Sequence, residues 1–315
     1  MNKFNKRILL TNAGTTVAQN ILDYNIESGL DFYGVDMNSF CYAAKILGKK
    51  FFVVPSSKDW QKYKMSLLKI CRDNKINLII SCSNDEELLK LTKDRKDFEA
   101  IGTKILASDY KIIKLCDDKI MCATAVAKLG IKTVPIYLPN SIFSHSKFPL
   151  FVKLRRGGGS SIAKIIKNVA DLKYFVKTFK GVIFQPFIKG QEYSLDMVLD
   201  NKSEVIVCSC RKRVAVKAGV CVKTEIVENK KLYKQAALIA KELKLIGGVN
   251  IQFIDDYFIE VNPRLPAGLG LVSKVGFNMS LLAIKSFFNQ PIDEQEKKFK
   301  KSKILRIWTD VIYEE

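Results

Sequence analysis

Short apolar runs alternate with amphipathic stretches through the first hundred residues, and this alternation restricts the fold more than any other feature. Residues 7–11, 31–36, 51–55 and 77–81 are brief and rich in Ile, Leu, Val and Phe. They lack the polar alternation of a half-exposed strand, as strands buried on both faces do. Between them, 59–74 carries Trp60, Tyr63, Leu67, Leu68 and Cys71 along one helical face. Such alternation predicts an open parallel sheet covered by helices, with a cleft at the carboxyl edge of its strands.

The chain has 315 residues, 48% of them hydrophobic, enough for two or three lobes with their own cores. No apolar run reaches the about 18 residues of a membrane span, and the amino terminus leads into a strand rather than a signal peptide. Eight cysteines are scattered without a CxxC pair, and Cys208 and Cys210 have strand spacing. The expected setting is a reducing cytoplasm with no membrane partner.

Lys and Arg outnumber Asp and Glu by 52 to 32, a net charge of +20. The lysines are spread evenly, as on a solvated surface. Arginine is scarcer, and five of the nine (Arg155, Arg156, Arg211, Arg213 and Arg264) fall in the segments discussed below. A planar, permanently charged fork suits phosphate and carboxylate. The basicity therefore points to small anions ahead of nucleic acid. The single histidine, His145, lies in a Ser- and Pro-containing linker, which rules out a His-pair metal site and disfavours a Ser-His-Asp triad.

Asn12-Ala-Gly14 falls at the first strand-to-helix turn, and Asp36 ends the second strand, imitating a dinucleotide site. Only one glycine of G-x-G-x-x-G is present, so the turn reads as scaffold rather than as an NAD site.

The chemistry is concentrated later in the chain. In Phe258-Ile-Glu260-Val-Asn262-Pro-Arg264 the carboxylate and the amide leave one strand face side by side, with a guanidinium just beyond. A few hard oxygens beside a fixed Arg suit Mg²⁺ bridging a polyphosphate. Gly248-Val-Asn250-Ile-Gln252 forms the preceding strand. A three-residue turn over 255–257 sets Gln252 opposite Glu260, whereas a two-residue turn pairs it with Ile259 and turns it away. Lys153 stands on a strand before Gly157-Gly-Gly-Ser-Ser161, where glycines let backbone N–H groups close on phosphate oxygens. Arg211 and Arg213 share a face at strand period.

These segments, in this order, resemble the ATP-grasp superfamily, and most closely the branch related to the carbamoyl-phosphate synthase large chain. The resemblance covers about residues 7 to 290. It implies an α/β architecture: an ATP-grasp fold preceded by an open parallel-sheet, Rossmann-like lobe. The expected divisions are 1–112 for that lobe, 113–189 for the small lobe with the glycine loop, and 190–315 for the large lobe with the metal site. It further implies that Lys119, Lys153, Gly158, Gly159, Ser160, Ser161 and Arg211 meet the phosphates. Gln185 and Ile188 would read adenine, and Glu192 the ribose. Gln252, Glu260 and Asn262 would hold Mg²⁺ or Mn²⁺, while Arg264, Lys153 and Arg213 carry the catalytic roles. The implied reaction is ATP-dependent activation of a carboxylate as an acyl phosphate, with ADP released and an amine attacking.

Two departures from the family stand out. Gln185 replaces a frequent Glu, and Leu265-Pro-Ala-Gly-Leu-Gly270 is poorer in glycine than in many relatives, which leaves the acceptor pocket open. The expected partners are a small carboxylate and an amine, and a homodimer is allowed. Bicarbonate as the activated acid is an alternative, as is an inert nucleotide- or nucleic-acid-binding protein.

Overall fold

The computed structural model describes residues 4–82, 85–144, 147–157, 162–217, 219–307 and 310–313. The amino-terminal lobe holds β1 (Arg7–Thr11), β2 (Asp31–Asp36), β3 (Phe51–Val53), β4 (Leu78–Ser81) and β5 (Lys104–Ile105). They form one parallel sheet in the order β3-β2-β1-β4-β5. Ile8, Leu9 and Leu10 of the central strand are fully buried, which is why that run reads as continuously apolar. The helix Trp60–Asp73 is capped by Asp59, which accepts from Lys62 N–H, and it buries Tyr63, Leu67 and Cys71. The strand order reverses between β1 and β4, so their carboxyl ends open onto a crevice. At the β1 turn, Gly14 N–H donates to the Asp36 carboxylate at 2.8 Å. That turn is satisfied from within the lobe.

A three-stranded antiparallel sheet follows, in the order β7-β6-β8: β6 (Leu150–Leu154), β7 (Lys164–Ile166) and β8 (Val182–Pro186). The helix Val169–Thr178 packs Leu172 against Leu150, Val152 and Phe184. Residues 133–137, Thr-Val-Pro-Ile-Tyr, have the composition of a strand yet make only isolated bridges, Thr133 to Phe258 and Tyr137 to Phe184. Pro135 lies between the two bridges, with no N–H to continue a ladder.

The third sheet is antiparallel and six-stranded, in the order β13-β12-β9-β10-β11-β14. Its strands are β9 (Glu192–Leu199), β10 (Val205–Lys217), β11 (Val220–Val227), β12 (Gly247–Ile254), β13 (Tyr257–Asn262) and β14 (Lys303–Leu305). One face is apolar. Leu195, Met197, Val249, Ile251, Phe253 and Val261 pack there against Leu232, Ala236 and Ile239 of the helix Lys230–Glu242. By period two, the opposite face receives Ser194, Asp196, Ser209, Arg211, Asn250 and Gln252. Glu260 and Asn262 join them.

The hairpin of β12 and β13 combines both registers considered from the sequence. Ile254 pairs with Tyr257, so the turn has two residues, Asp255 and Asp256, with Asp255 at φ 50°. Phe253 then pairs with Phe258, but Gln252 pairs with Glu260, which leaves Ile259 as a bulge. The extra residue restores the alignment that the short turn alone breaks. Among the described residues, no helix is long and apolar enough to cross a membrane.

Candidate nucleotide and metal site

A cavity of about 810 Å³ lies between the small sheet and the polar face of the large one. Lys119, Lys153, Gln185, Ile188, Glu192, Arg213, Gln252 and Glu260 all line it. Each arrives for a local reason. In β6, Leu150 and Val152 turn into the small core, so Lys153 turns the other way and is 8% exposed. Lys119 begins the helix Lys119–Ala127, which Asp118 caps by accepting from the N–H groups of Ile120 and Met121. Gln185 lies near the end of β8, the segment after it contributes Ile188, and Glu192 begins β9.

The entry to the glycine loop is tied to that helix start. Lys119 Nζ donates to the Gly157 carbonyl at 2.6 Å, and Gly157 N–H to Asp117 at 3.0 Å. Arg155 and Arg156 both pair with Asp118, at 2.8 and 3.2 Å. Burial pushes the Asp118 carboxyl up, but Arg155, the Met121 N–H and Arg156 outweigh it and hold the group below the usual carboxylate range. Gly158, Gly159, Ser160 and Ser161, expected at the phosphates, lie outside the described residues, as does His145.

The electrostatics favour a bound polyanion. Burial lowers the Lys153 ammonium below its ordinary value, Glu260 partly restores it, and Lys119 opposes that. Glu260 is shifted the other way. Burial pushes its carboxyl up, yet Lys153, Lys119, a hydrogen bond from Asn262 and Arg213 together bring it below the usual range. One carboxylate thus faces three cations, a net positive cleft. Arg213 is held by Glu192 at 3.4 Å, by Gln252 Oε1 at 3.0 Å and by the Gly219 carbonyl at 3.1 Å. Asn262 Nδ2 donates to Glu260 at 3.3 Å and to Asn250 Oδ1 at 3.2 Å.

Three expected site residues, Arg211, Arg264 and Asn262, stand outside the main cavity. Arg211 does not line the cavity; it is 3% exposed and ion-paired with Asp196 on the neighbouring strand. Its guanidinium lies so close to Gly268 that a Cβ there would meet Nη2 at 2.4 Å. Arg264 is also outside the main cavity. It makes a two-pronged pair with Asp85 of the helix Asp85–Lys93, at 2.6 and 3.4 Å. Asp85 and Asn262 line a small recess that shares Lys119, Gly157 and Glu260 with the cavity.

Asp85, Asp118, Asp196 and Asn250 were not singled out from the sequence. Only Asn250 had a visible signal, since it sits two residues before Gln252 on the same strand face.

The donor set suits Mg²⁺, which takes few protein ligands and shares phosphate oxygens. Glu260 supplies charge, Asn262 and Gln252 supply amide oxygens, and the cations around them suit the phosphates. Among the described residues, no group of three His, Cys, Asp or Glu side chains forms a cage that would hold a metal by itself.

Comparison with known proteins bears on the family and the fold. An ATP-grasp domain model matches residues 116–268, and a PylC-like N-terminal domain model matches residues 8–106. A carbamoyl-phosphate synthase of Methanobrevibacter smithii is 23% identical over 240 residues, 69% of this chain and 64% of that protein. The chain thus spans less than two thirds of that relative's length, and only 20% of another's. Among solved structures, one match is the biotin carboxylase domain of 2-oxoglutarate carboxylase from Hydrogenobacter thermophilus, in complex with MgADP, ADP and bicarbonate. It has TM-score 0.73 at 15% identity, covering 94% of this chain and 72% of that one. An L-amino acid ligase from Bacillus licheniformis has TM-score 0.72 at 14% identity, covering 94% and 78%. At these identities the two structures attest the fold.

Proposed function

Because this chain belongs to the ATP-grasp superfamily, we propose that it is an ATP-dependent ligase that activates a carboxylate as an acyl phosphate for attack by an amine. The observation that carries this reading is the convergence of Lys119, Lys153 and Glu260 on one cavity that also contains Gln185, Ile188 and Glu192.

A carboxylate oxygen of the acid attacks the γ-phosphorus of ATP, and the bond to the β,γ-bridging oxygen breaks to release ADP. The amine nitrogen then attacks the acyl carbon, expelling phosphate and losing a proton. Such chemistry is driven by positioning and charge neutralisation rather than by a strong protein base. Lys153 and Lys119 hold the phosphate oxygens. The backbone around Gln185 to Ile188 reads adenine, and Glu192 takes the ribose hydroxyls once Arg213 turns to the phosphates. Glu260, Asn262 and Gln252 would hold Mg²⁺, with Mn²⁺ as a substitute, and the ion would neutralise phosphate charge. Arg264 reaches the transferred group by exchanging Asp85 for it.

Bicarbonate as the activated acid is the second reading, favoured by the likeness to a carbamoyl-phosphate synthase. Both readings are tested by incubating the protein with Mg-ATP, a panel of amino acids and small carboxylates, bicarbonate, and amines including ammonia. ADP and phosphate, together with a hydroxamate formed on adding hydroxylamine, would support acyl-phosphate chemistry. AMP and pyrophosphate as the only nucleotide products would reject it. A signal confined to the bicarbonate arm selects the second reading.

A further inference from the structure

Asp196, Asn250, Asn262 and Ser209 form one cross-strand row on the polar face, since Asn250 pairs with Asn262 and with Asp196, and Asp196 with Ser209. Asp196 is fully buried and Asn250 is 2% exposed. Neither lines the nucleotide cavity, and the reaction steps above use neither.

Their hydrogen bonds run in one direction. Asp196, ion-paired with Arg211, offers acceptors only. Asn250 must therefore present its nitrogen, and Nδ2 donates to Asp196 Oδ1 at 2.8 Å. With its nitrogen committed there, Asn250 turns its oxygen to the other side. That oxygen accepts from Asn262 Nδ2 at 3.2 Å and from Gln252 Nε2 at 3.0 Å. Both amides thus have their nitrogens fixed on Asn250; the Gln252 oxygen accepts from Arg213 at 3.0 Å, and the Asn262 oxygen has no donor among the described residues. An amide without such an anchor has no preference between its two ends, and an N–H₂ end turned to a cation repels it.

We propose that Asp196 and Asn250 are positioning residues: a buried carboxylate, neutralised by Arg211, sets the orientation of Asn250, which in turn holds Asn262 and Gln252 by their nitrogens, leaving the Asn262 oxygen to the divalent cation and the Gln252 oxygen to it once Arg213 turns to the phosphates. This rests on the reading of Glu260 and Asn262 as metal ligands. It gives Arg211 a role compatible with its burial away from the cavity. It also explains why a site with a single carboxylate tolerates neutral ligands, because the amides arrive already oriented.

The test uses Asn250→Leu, which keeps the side chain's approximate shape and removes both its donor and its acceptor. Free Mn²⁺ is measured by electron paramagnetic resonance while the protein is titrated in the presence of ADP. ADP binding is measured separately in EDTA, and thermal melting is followed for both proteins. The variant should bind Mn²⁺ about 10- to 100-fold more weakly, the range for residues that orient metal ligands, while metal-free ADP affinity is unchanged. Asp196→Asn, which can present either end to Asn250, should show the same split. Equal Mn²⁺ affinity in wild type and Asn250→Leu would overturn the relay, as would a parallel loss of metal-free ADP binding, which marks a merely structural role. If the Leu variant does not fold, Asn250→Ser is read by the same criteria. Wild-type protein that binds ADP but no Mn²⁺ would overturn the metal reading of Glu260 itself, and the relay with it.

Discussion

Glu87 and Glu260 sit at the edges of two different sheets, and the protein treats these enclosed carboxylates in opposite ways. Glu87, at the crevice of the parallel sheet, is 1% exposed and accepts from Asn12 Nδ2 and Ser81 Oγ, both at 2.6 Å, and from the Tyr63 hydroxyl. All three donors are neutral. Burial consequently wins, and its carboxyl is raised above the ordinary range. Glu260, on the large sheet, meets Lys153, Lys119 and Arg213, and is lowered. Neutral donors hold a shape, whereas cations leave a field in which a phosphate finds partners. By this contrast Glu87 is a fastener at the strand-order reversal, and Glu260 has the surroundings its proposed role at phosphate and metal requires.

The contrast breaks most visibly in turnover. Glu260→Gln should lower ADP formation roughly 10²- to 10³-fold, the scale for losing one preorganised charge-stabilising group. Glu87→Gln should leave it near wild type. Phosphate-release assays on both variants check this, and equal losses would erase the distinction between the two sites.

Stability should reverse the ranking. Glu87→Ala leaves two buried hydroxyls and the half-buried Asn12 amide without an acceptor and should cost about 3 kcal/mol in urea unfolding. Glu87→Gln, which keeps the shape and one acceptor oxygen, should cost less.

Acid dependence gives opposite signs. The raised Glu87 contributes stability that is fully present below its unfolded value and is lost as pH rises through its folded value. The lowered Glu260 contributes stability that is present above its unfolded value and is lost as pH falls through its folded value. Unfolding free energies measured across the acidic range should therefore show wild type losing ground to Glu87→Gln as pH rises, and gaining ground on Glu260→Gln. Parallel trends would show that the two carboxylates share one environment.

The smallest effect belongs to Gln252. Its oxygen already accepts from Arg213 and its nitrogen is held by Asn250, so Gln252→Leu should raise the Mg²⁺ concentration needed for half-maximal rate only several-fold, well below the loss for Glu260→Gln. A loss as large as that of Glu260→Gln would make Gln252 an equal ligand.

Much of this was legible from local patterns. β1, β2 and β4 were visible because parallel strands buried on both faces must be apolar throughout. Lys153, Glu260 and Asn262 were visible because strand period sets their direction, and their place beside a glycine run or a hairpin suggests what they face. The segment 133–137 misled because it has strand composition, while Pro135 and the absence of a partner strand permit only single bridges. Arg211 misled in a different way. Its spacing from Arg213 is correct for a shared face, but the face extends beyond the cavity, and Asp196 takes up its charge.

Sequence alone determined the lobe types, the strand faces and the side chains able to meet phosphate and metal, because each follows from period, composition and turn chemistry within about 15 residues. Tertiary structure alone decided which of those side chains are available. Asp85 meets Arg264 across 179 positions, Glu87 meets Asn12 across 75, and Asn250 meets Asp196 across 54. A charge is spoken for or free according to what the fold brings beside it in a medium that screens poorly, and no local pattern encodes that.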